Sequence, residues 1–259
     1  MNAVNRAPIR ISVEDLAEEP YASILCYPRA EPEEVKERIL ELTALGVTEA
    51  EFEDLGFTAG LPILGKGYEG VVIAAYVNGE RVALKMRRTD GGRDNFFHEG
   101  EMLQKANAVG VGPKFIAVSK NFLMSQLIGG GTLTQWMQNN RNRTKFRKVL
   151  KNILEQCFRL DNEGIDHGEI SKAHKHILMD TDVPYIIDFE TAGIKGNANN
   201  VSSVCQYLFL GNSVASKLIR QVIGEKDREM IVNAVKEHKK QRSKESFDAL
   251  LRTCLILAF

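Results

Sequence analysis

Residues 65–70 read Gly65-Lys66-Gly67-Tyr68-Glu69-Gly70 and enter an apolar, strand-like run, Val71-Val72-Ile73-Ala74-Ala75-Tyr76-Val77, that ends at Asn78-Gly79. Glycines at this spacing let a backbone lie close over a polyphosphate, since a side chain there would push the loop off the oxygens. The element that follows narrows the fold. A dinucleotide-binding turn follows a strand and opens a helix, and a Walker loop needs Gly-Lys-Ser/Thr entering a helix, whereas these glycines enter a strand. Asn-Gly between apolar runs predicts a hairpin, so Val82-Ala83-Leu84-Lys85 falls on the third strand.

The residues downstream come in an order that suits a triphosphate. Lys85 offers a compact cation. Phe96, Phe97, Met102, Leu103 and Ala106 recur at helical spacing over 95–107, and Glu99 precedes the Met102-Leu103 pair by three and four residues. That places Glu99 on the inward face, where it can pair with Lys85 and aim it, while Glu101 points elsewhere. Asp188, on a short turn after Ile186-Ile187, has the hard oxygen donors that phosphate-bound metal ions need. Strands are predicted over 114–118 and 121–127, after which Gly129-Gly130-Gly131 breaks the chain where two lobes would hinge. The backbone N–H and C=O groups of Gln126 and Leu127 are expected to face an adenine edge.

Helical spacing extends through the rest of the chain. A short helix is predicted over 132–139 and a longer one over 144–163, with Phe146, Val149, Leu150, Ile153, Leu154, Cys157, Phe158 and Leu160 inward. Further helices are expected over 201–210, 214–223, 227–239 and 247–259. Ahead of the glycine loop, Pro32, Val35, Ile39, Leu40, Leu42 and Leu45, then Phe52 and Leu55 past Gly46, suit one or two amphipathic helices. This helical extension is expected to cap the sheet.

The 34 basic and 34 acidic residues cancel. That balance gives no strong nucleic-acid signature, and the basic runs 141–151 and 236–244 read as solvated helix faces. Cys26, Cys157, Cys205 and Cys254 have no Cys-x-x-Cys spacing, which argues against a zinc ribbon or redox pair and fits buried thiols in a reducing compartment. Met1–Arg6 lacks a signal-peptide core, and no run approaches the roughly 20 apolar residues of a membrane span. A cytoplasmic protein is expected, with the apolar run 250–259 docked as a helix instead of serving as a membrane anchor.

His167-Gly168-Glu169-Ile170-Ser171, then Ile177-Leu178-Met179, then Pro184-Tyr185-Ile186-Ile187-Asp188-Phe189-Glu190, resembles the catalytic and metal loops of the protein-kinase-like superfamily. With the glycine loop, Lys85 and Glu99, the resemblance spans roughly residues 60–195. It is closest in kind to small atypical members: RIO kinases, archaeal predicted Ser/Thr kinases and lipopolysaccharide core kinases. Lys85-Met86-Arg87-Arg88-Thr89-Asp90, Asp188-Phe189-Glu190-Thr191-Ala192 and Asn200-Val201 are similar to the archaeal group in particular.

The resemblance implies a bilobal α+β fold: a helical extension over 1–58, a five-stranded antiparallel small lobe over 59–128, and a reduced helical large lobe over 129–259. It implies ATP with Mg2+ or Mn2+, and a protein substrate or partner. Gly65, Lys66, Gly67, Gly70, Val72, Ala83, Lys85, Glu99, Gln126, Leu127, His176 and Asp188 would bind the nucleotide, with Asp188 and His176 at the metal. Glu169 would act with Lys85 and Asp188 in transfer.

Departures from the family pattern shape these expectations. Glu169 stands where the family has aspartate, and its extra methylene adds about 1.5 Å of reach. The family spaces that acid five residues before a metal-binding asparagine, while Glu169 lies seven before His176 and five before His174. Either histidine can take the asparagine position, and Lys172 and Lys175 in the same loop can face phosphate. Glu190 replaces the glycine of Asp-Phe-Gly, and no Ala-Pro-Glu follows. A specific docked partner, or the chain itself, is therefore the expected acceptor. A nucleotide-binding pseudokinase or ATPase-like switch, and a kinase of sugars or aminoglycosides, are the alternative readings.

Overall fold

The computed structural model describes residues 8–53 and 56–255. Met1–Arg6, Leu55 and the end of the apolar C-terminal run, 256–259, lie outside the described residues. The chain is mixed α+β and divides into two units. One takes in the chain up to Glu101 together with Lys114–Leu127, and the other takes Met102–Pro113 and everything from Ile128 onward.

The first unit is built on one antiparallel sheet. Its strands are β1 (Ile9–Ser12), β2 (Val47–Phe52), β5 (Gly65–Lys66), β6 (Gly70–Val77), β7 (Glu80–Arg87), β8 (Phe115–Val118) and β9 (Phe122–Gln126); β3 (Gly56–Thr58) and β4 (Leu61–Ile63) form a separate hairpin. The order is β1-β2-β6-β7-β9-β8, with β5 also on β6. Asn78 and Gly79 both take positive φ, 52° and 80°, which gives the predicted tight turn between β6 and β7.

Seven strands, where five are expected, require a correction to the N-terminal extension. Helix α1 (Ala22–Leu25) and helix α2 (Pro32–Ala44) form, with Pro32 at the start of α2 as predicted. Past Gly46, which turns the chain at φ +77°, Val47–Phe52 is a strand and no second helix. Its hydrogen-bonding edges are filled by β1 on one side and β6 on the other. This pairing between distant segments overrides a local spacing that also fits a helix.

Alternation along β6 and β7 divides the sheet into two faces. Val71, Ile73, Ala75, Val82, Leu84 and Met86 are buried together with Phe122 and Met124, and Val13, Leu16, Ile24, Leu25, Val35 and Leu42 from the N-terminal segment join the same cluster. The extension thus seals one face. Arg38 of α2 lies wholly inside this unit and donates to the carbonyls of Leu25 (2.7 Å) and Arg87 (2.6 Å), to Asn121 Oδ1 (3.3 Å) and to Glu34 (2.7 Å). The opposite face carries the register partners Val72 with Lys85 and Ala74 with Ala83; Val72, Ala83 and Lys85 are only half-buried.

The second unit is organised around α5 (Arg143–Asn162), which buries Phe146, Val149, Leu150, Ile153, Leu154, Cys157 and Leu160, as its spacing predicts, whereas Phe158, also expected inward, is half-buried and stacks on Phe247 with ring centres 4.2 Å apart. Before it comes α4 (Leu133–Asn139), and α3 (Phe97–Ala108) contributes its residues from Met102 onward. Short strands β10 (Ile165–Asp166) and β13 (Gly193–Ile194) pair, as do β11 (Ile177–Asp180) and β12 (Val183–Ile186). Between them lies α6 (Ala173–His176). Helices α7 (Asn200–Cys205), α8 (Val214–Ile223), α9 (Arg228–Gln241) and α10 (Lys244–Leu255) complete the unit, and one π turn, Gln206–Leu210, follows α7. The glycine run is tied down: a Cβ on Gly130 would lie 1.8 Å from the Met179 carbonyl oxygen, and the Met179 N–H donates to Gly131 O at 2.9 Å. All four cysteines are free and buried.

Candidate functional site

In the first unit the ammonium of Lys85 bonds both carboxylate oxygens of Glu99, at 2.8 and 2.9 Å. Glu99 lies in the first turn of α3. With the side chains 15% and 5% exposed, the pair is shielded from solvent and differs from the weak ion pairs of open surfaces. The Phe96 ring lies 5.4 Å from the ammonium. Gly70 is where the lysine stem needs room: a Cβ there would meet Lys85 Cγ at 3.0 Å, Cε at 3.2 Å and the Met86 carbonyl oxygen at 3.1 Å.

The glycine loop is a closed turn. The Gly67 N–H donates to Gly70 O at 2.8 Å, and Arg88 clamps the turn through its N–H to Glu69 O (2.9 Å) and its guanidinium to Gly67 O (3.1 Å). Glu69, inside the turn, is buried and accepts the Arg93 N–H at 3.1 Å; Gly91 passes so close that a Cβ would sit 2.8 Å from its carboxylate. Lys66 points to the N-terminal segment, donating to Tyr27 Oη at 2.7 Å. The N–H of Gln126 is committed to Lys114 O at 2.8 Å, so it does not offer itself to a base edge as expected. Leu127 is half-buried at the end of this unit.

In the second unit the seven-residue spacing from Glu169 to His176 is coiled up. One 3-10 turn, Ile170–Lys172, runs into α6, and this returns His176 to the acid. The His176 ring lies with Nε2 3.5 Å from Glu169 Oε2 and Nδ1 3.5 Å from Asp188 Oδ2. His174 instead stacks on Tyr207, with ring centres 6.0 Å apart. Of the two candidate histidines, His176 is the one that meets the acids. Asp188 takes φ +69°, a left-handed conformation uncommon outside glycine, asparagine and aspartate, and Phe189 behind it is buried against the His167 ring at 5.1 Å.

Burial sets the charge states here. It pushes the His176 imidazole below its ordinary value, and neighbouring His167 adds to this, while Asp188 and Glu169 oppose it. A neutral imidazole carries one N–H, so His176 can serve only one of its two flanking carboxylates at a time. His167 is likewise lowered by burial. Its Nε2 lies 2.9 Å from the Ile187 carbonyl, which can only accept, so Nε2 carries the proton and Nδ1 accepts the Glu169 N–H at 3.4 Å. Lys172 forms an ion pair with Glu169, and this hydrogen bond holds the carboxyl below its usual range.

No family model matches the chain. An uncharacterized protein of Methanocaldococcus jannaschii is 33% identical to it over 101 residues, which is 38% of this chain and 85% of that protein. The chain belongs to that protein's family. The kinship carries no activity with it, so the site's chemistry rests on the site's own residues.

Asp188 suits a magnesium-type ion because it offers hard oxygen donors. Glu190, read in the sequence only as a lost glycine, brings a carboxylate oxygen within 4.8 Å of one from Asp188 and is a second such donor. His176 offers nitrogen, a poor match for magnesium, and fits better as the group that spaces Glu169 from Asp188.

Two further residues position the loop. Asn200 Oδ1 accepts the His167 N–H at 2.9 Å, its Nδ2 donates to Ile165 O (2.6 Å) and Asp161 (2.8 Å), and Asp161 also takes the N–H groups of Asn200 and Val201 at 2.7 and 3.0 Å. Asn200 belongs to the Asn200-Val201 pair noted above. Asp161, by contrast, looks in sequence like any polar residue at a helix end.

Proposed function

We propose that the chain is an ATP- and magnesium-dependent phosphotransferase of the atypical protein-kinase type, with its two units corresponding to the small and large lobes of that bilobal fold. It would act in the cytoplasm on serine or threonine of a specific protein partner or of itself. Lys85 holds phosphate oxygens, Glu99 aims Lys85, and Asp188 with Glu190 holds the metal ion, which neutralises charge on the transferring group. Glu169 positions the acceptor hydroxyl and takes its proton. The observation that carries the reading is the shielded Lys85–Glu99 pair beside a glycine turn, since an acid that holds a lysine ammonium with both of its oxygens fixes where that charge points. Transfer of radiolabelled phosphate from ATP, to the chain itself or to a protein acceptor, is expected to vanish in Lys85→Ala and in Asp188→Ala. Transfer persisting in both would reject the assignment.

One observation favours a second reading, a nucleotide-binding switch without turnover. Glu169 is engaged by Lys172 and held in its ionised form, which makes it a weak proton acceptor. That reading predicts thermal stabilisation by ATP with no phosphate transfer at any magnesium or manganese concentration. A higher catalytic efficiency on a sugar or aminoglycoside than on any protein would instead indicate a small-molecule kinase.

A further inference from the structure

A cavity of about 270 Å³ opens in the second unit, where the end of α5 meets the 196–202 segment and the last turn of α9. Asp161, Asn199, Ser202, His238, Lys239 and Arg242 line it. Its charged lining is two cations, Lys239 and Arg242, and a single carboxylate. That carboxylate, Asp161, already accepts three N–H groups at 2.7 to 3.0 Å, so the unmatched charge in the cavity is positive. Arg242 also holds an unusual position. It ends α9 at φ +53°, where glycine is the common residue, and its guanidinium reaches Ala198 O (3.0 Å) and Asn199 Oδ1 (3.4 Å). Those bonds use two of its five N–H groups.

The cavity is smaller than the roughly 300–1,000 Å³ typical of drug-sized ligands, so it suits an anion carrying only a few further atoms. An arginine fork beside a lysine is matched by a phosphate group. The cavity's acidic side also leads to the His167 loop: Asp161 holds Asn200, and Asn200 holds the His167 N–H at 2.9 Å. We propose that this cavity binds a small phosphomonoester, and that the bound molecule steadies the Asp161–Asn200 bridge and with it the loop from His167 to Glu169. The inference does not rest on the phosphotransfer reading, because it concerns a separate cavity and is tested without turnover.

The test is isothermal titration of the full chain with glycerol 3-phosphate, with glycerol as control, repeated for Arg242→Gly and Lys239→Gln. Glycine is at ease at φ +53°, so Arg242→Gly removes the guanidinium and keeps the helix end. Each variant is expected to lose affinity by about tenfold or more, the equivalent of about 1.4 kcal/mol, and Lys239→Gln to do so with melting unchanged. The ligand is expected to slow hydrogen exchange at the His167 amide. Binding no tighter than that of glycerol, or binding that survives both substitutions, would overturn the site. Binding with His167 exchange unaltered would overturn its link to the loop.

Discussion

At Gly70 an added methyl would press on the Lys85 stem and, at 3.1 Å, on the Met86 carbonyl. The stem can yield and the backbone cannot, so Gly70→Ala is expected to destabilise the first unit by about 1–3 kcal/mol, read as a lower urea midpoint, and to turn the ammonium away from Glu99. The Lys85–Glu99 pair itself calls for a cycle of Lys85→Met, Glu99→Gln and the double variant. Because the pair is shielded and doubly bonded, a coupling of about 1–3 kcal/mol is expected in chemical denaturation; a value near zero would place the pair among ordinary surface contacts.

Elements hold the sites through buried polar groups. Asn200 at the start of α7 is fully buried, and Asn200→Ala leaves the His167 N–H and the Ile165 carbonyl without partners. Each orphaned group costs about 1–3 kcal/mol, so the expected loss is several kcal/mol together with faster amide exchange at His167. Arg38 does the same for α2. Arg38→Met keeps much of the volume but strands the carbonyls of Leu25 and Arg87, and a fall of at least about 2 kcal/mol in unfolding free energy is expected.

The elements that were legible in the sequence are those specified locally. Thr132, Asn142, Ser213 and Asp227 each cap the N–H three residues on, and the 3.6-residue spacing of α5 fits its buried face. Glu99 was legible because the helix period alone turns it inward. Strands β1 and β2 were not, because a four- or six-residue strand exists only through partners far away in sequence. The return of His176 to Glu169 was hidden for a similar reason: spacing shows seven residues and does not show that they coil.

Across the whole molecule the buried histidines set the response to acid. Among the described residues no helix is long and apolar enough to cross a membrane. His167 and His238 are buried and lowered, His167 chiefly by burial and His238 by burial and then Arg242. Ser246 gives its hydroxyl proton to Ser243 O, so His238 Nδ1 donates to Ser246 Oγ. The unfolded chain takes up protons on these rings as pH falls below about 6.5, while the folded chain resists until lower pH. Stability is therefore full above that value and lost as pH descends toward the folded values. Asp166 acts in the same sense further down: burial alone would raise it, but Lys195 holds it low, so its stabilisation disappears in the carboxylate range. Asp161, raised by burial, opposes it there. Urea midpoints are expected to drop between pH 7.5 and 5.5, and the drop is expected to shrink in His238→Gln, whose amide keeps a donor for Ser246 and does not titrate. An equal drop in that variant would assign the acid response to the other buried rings.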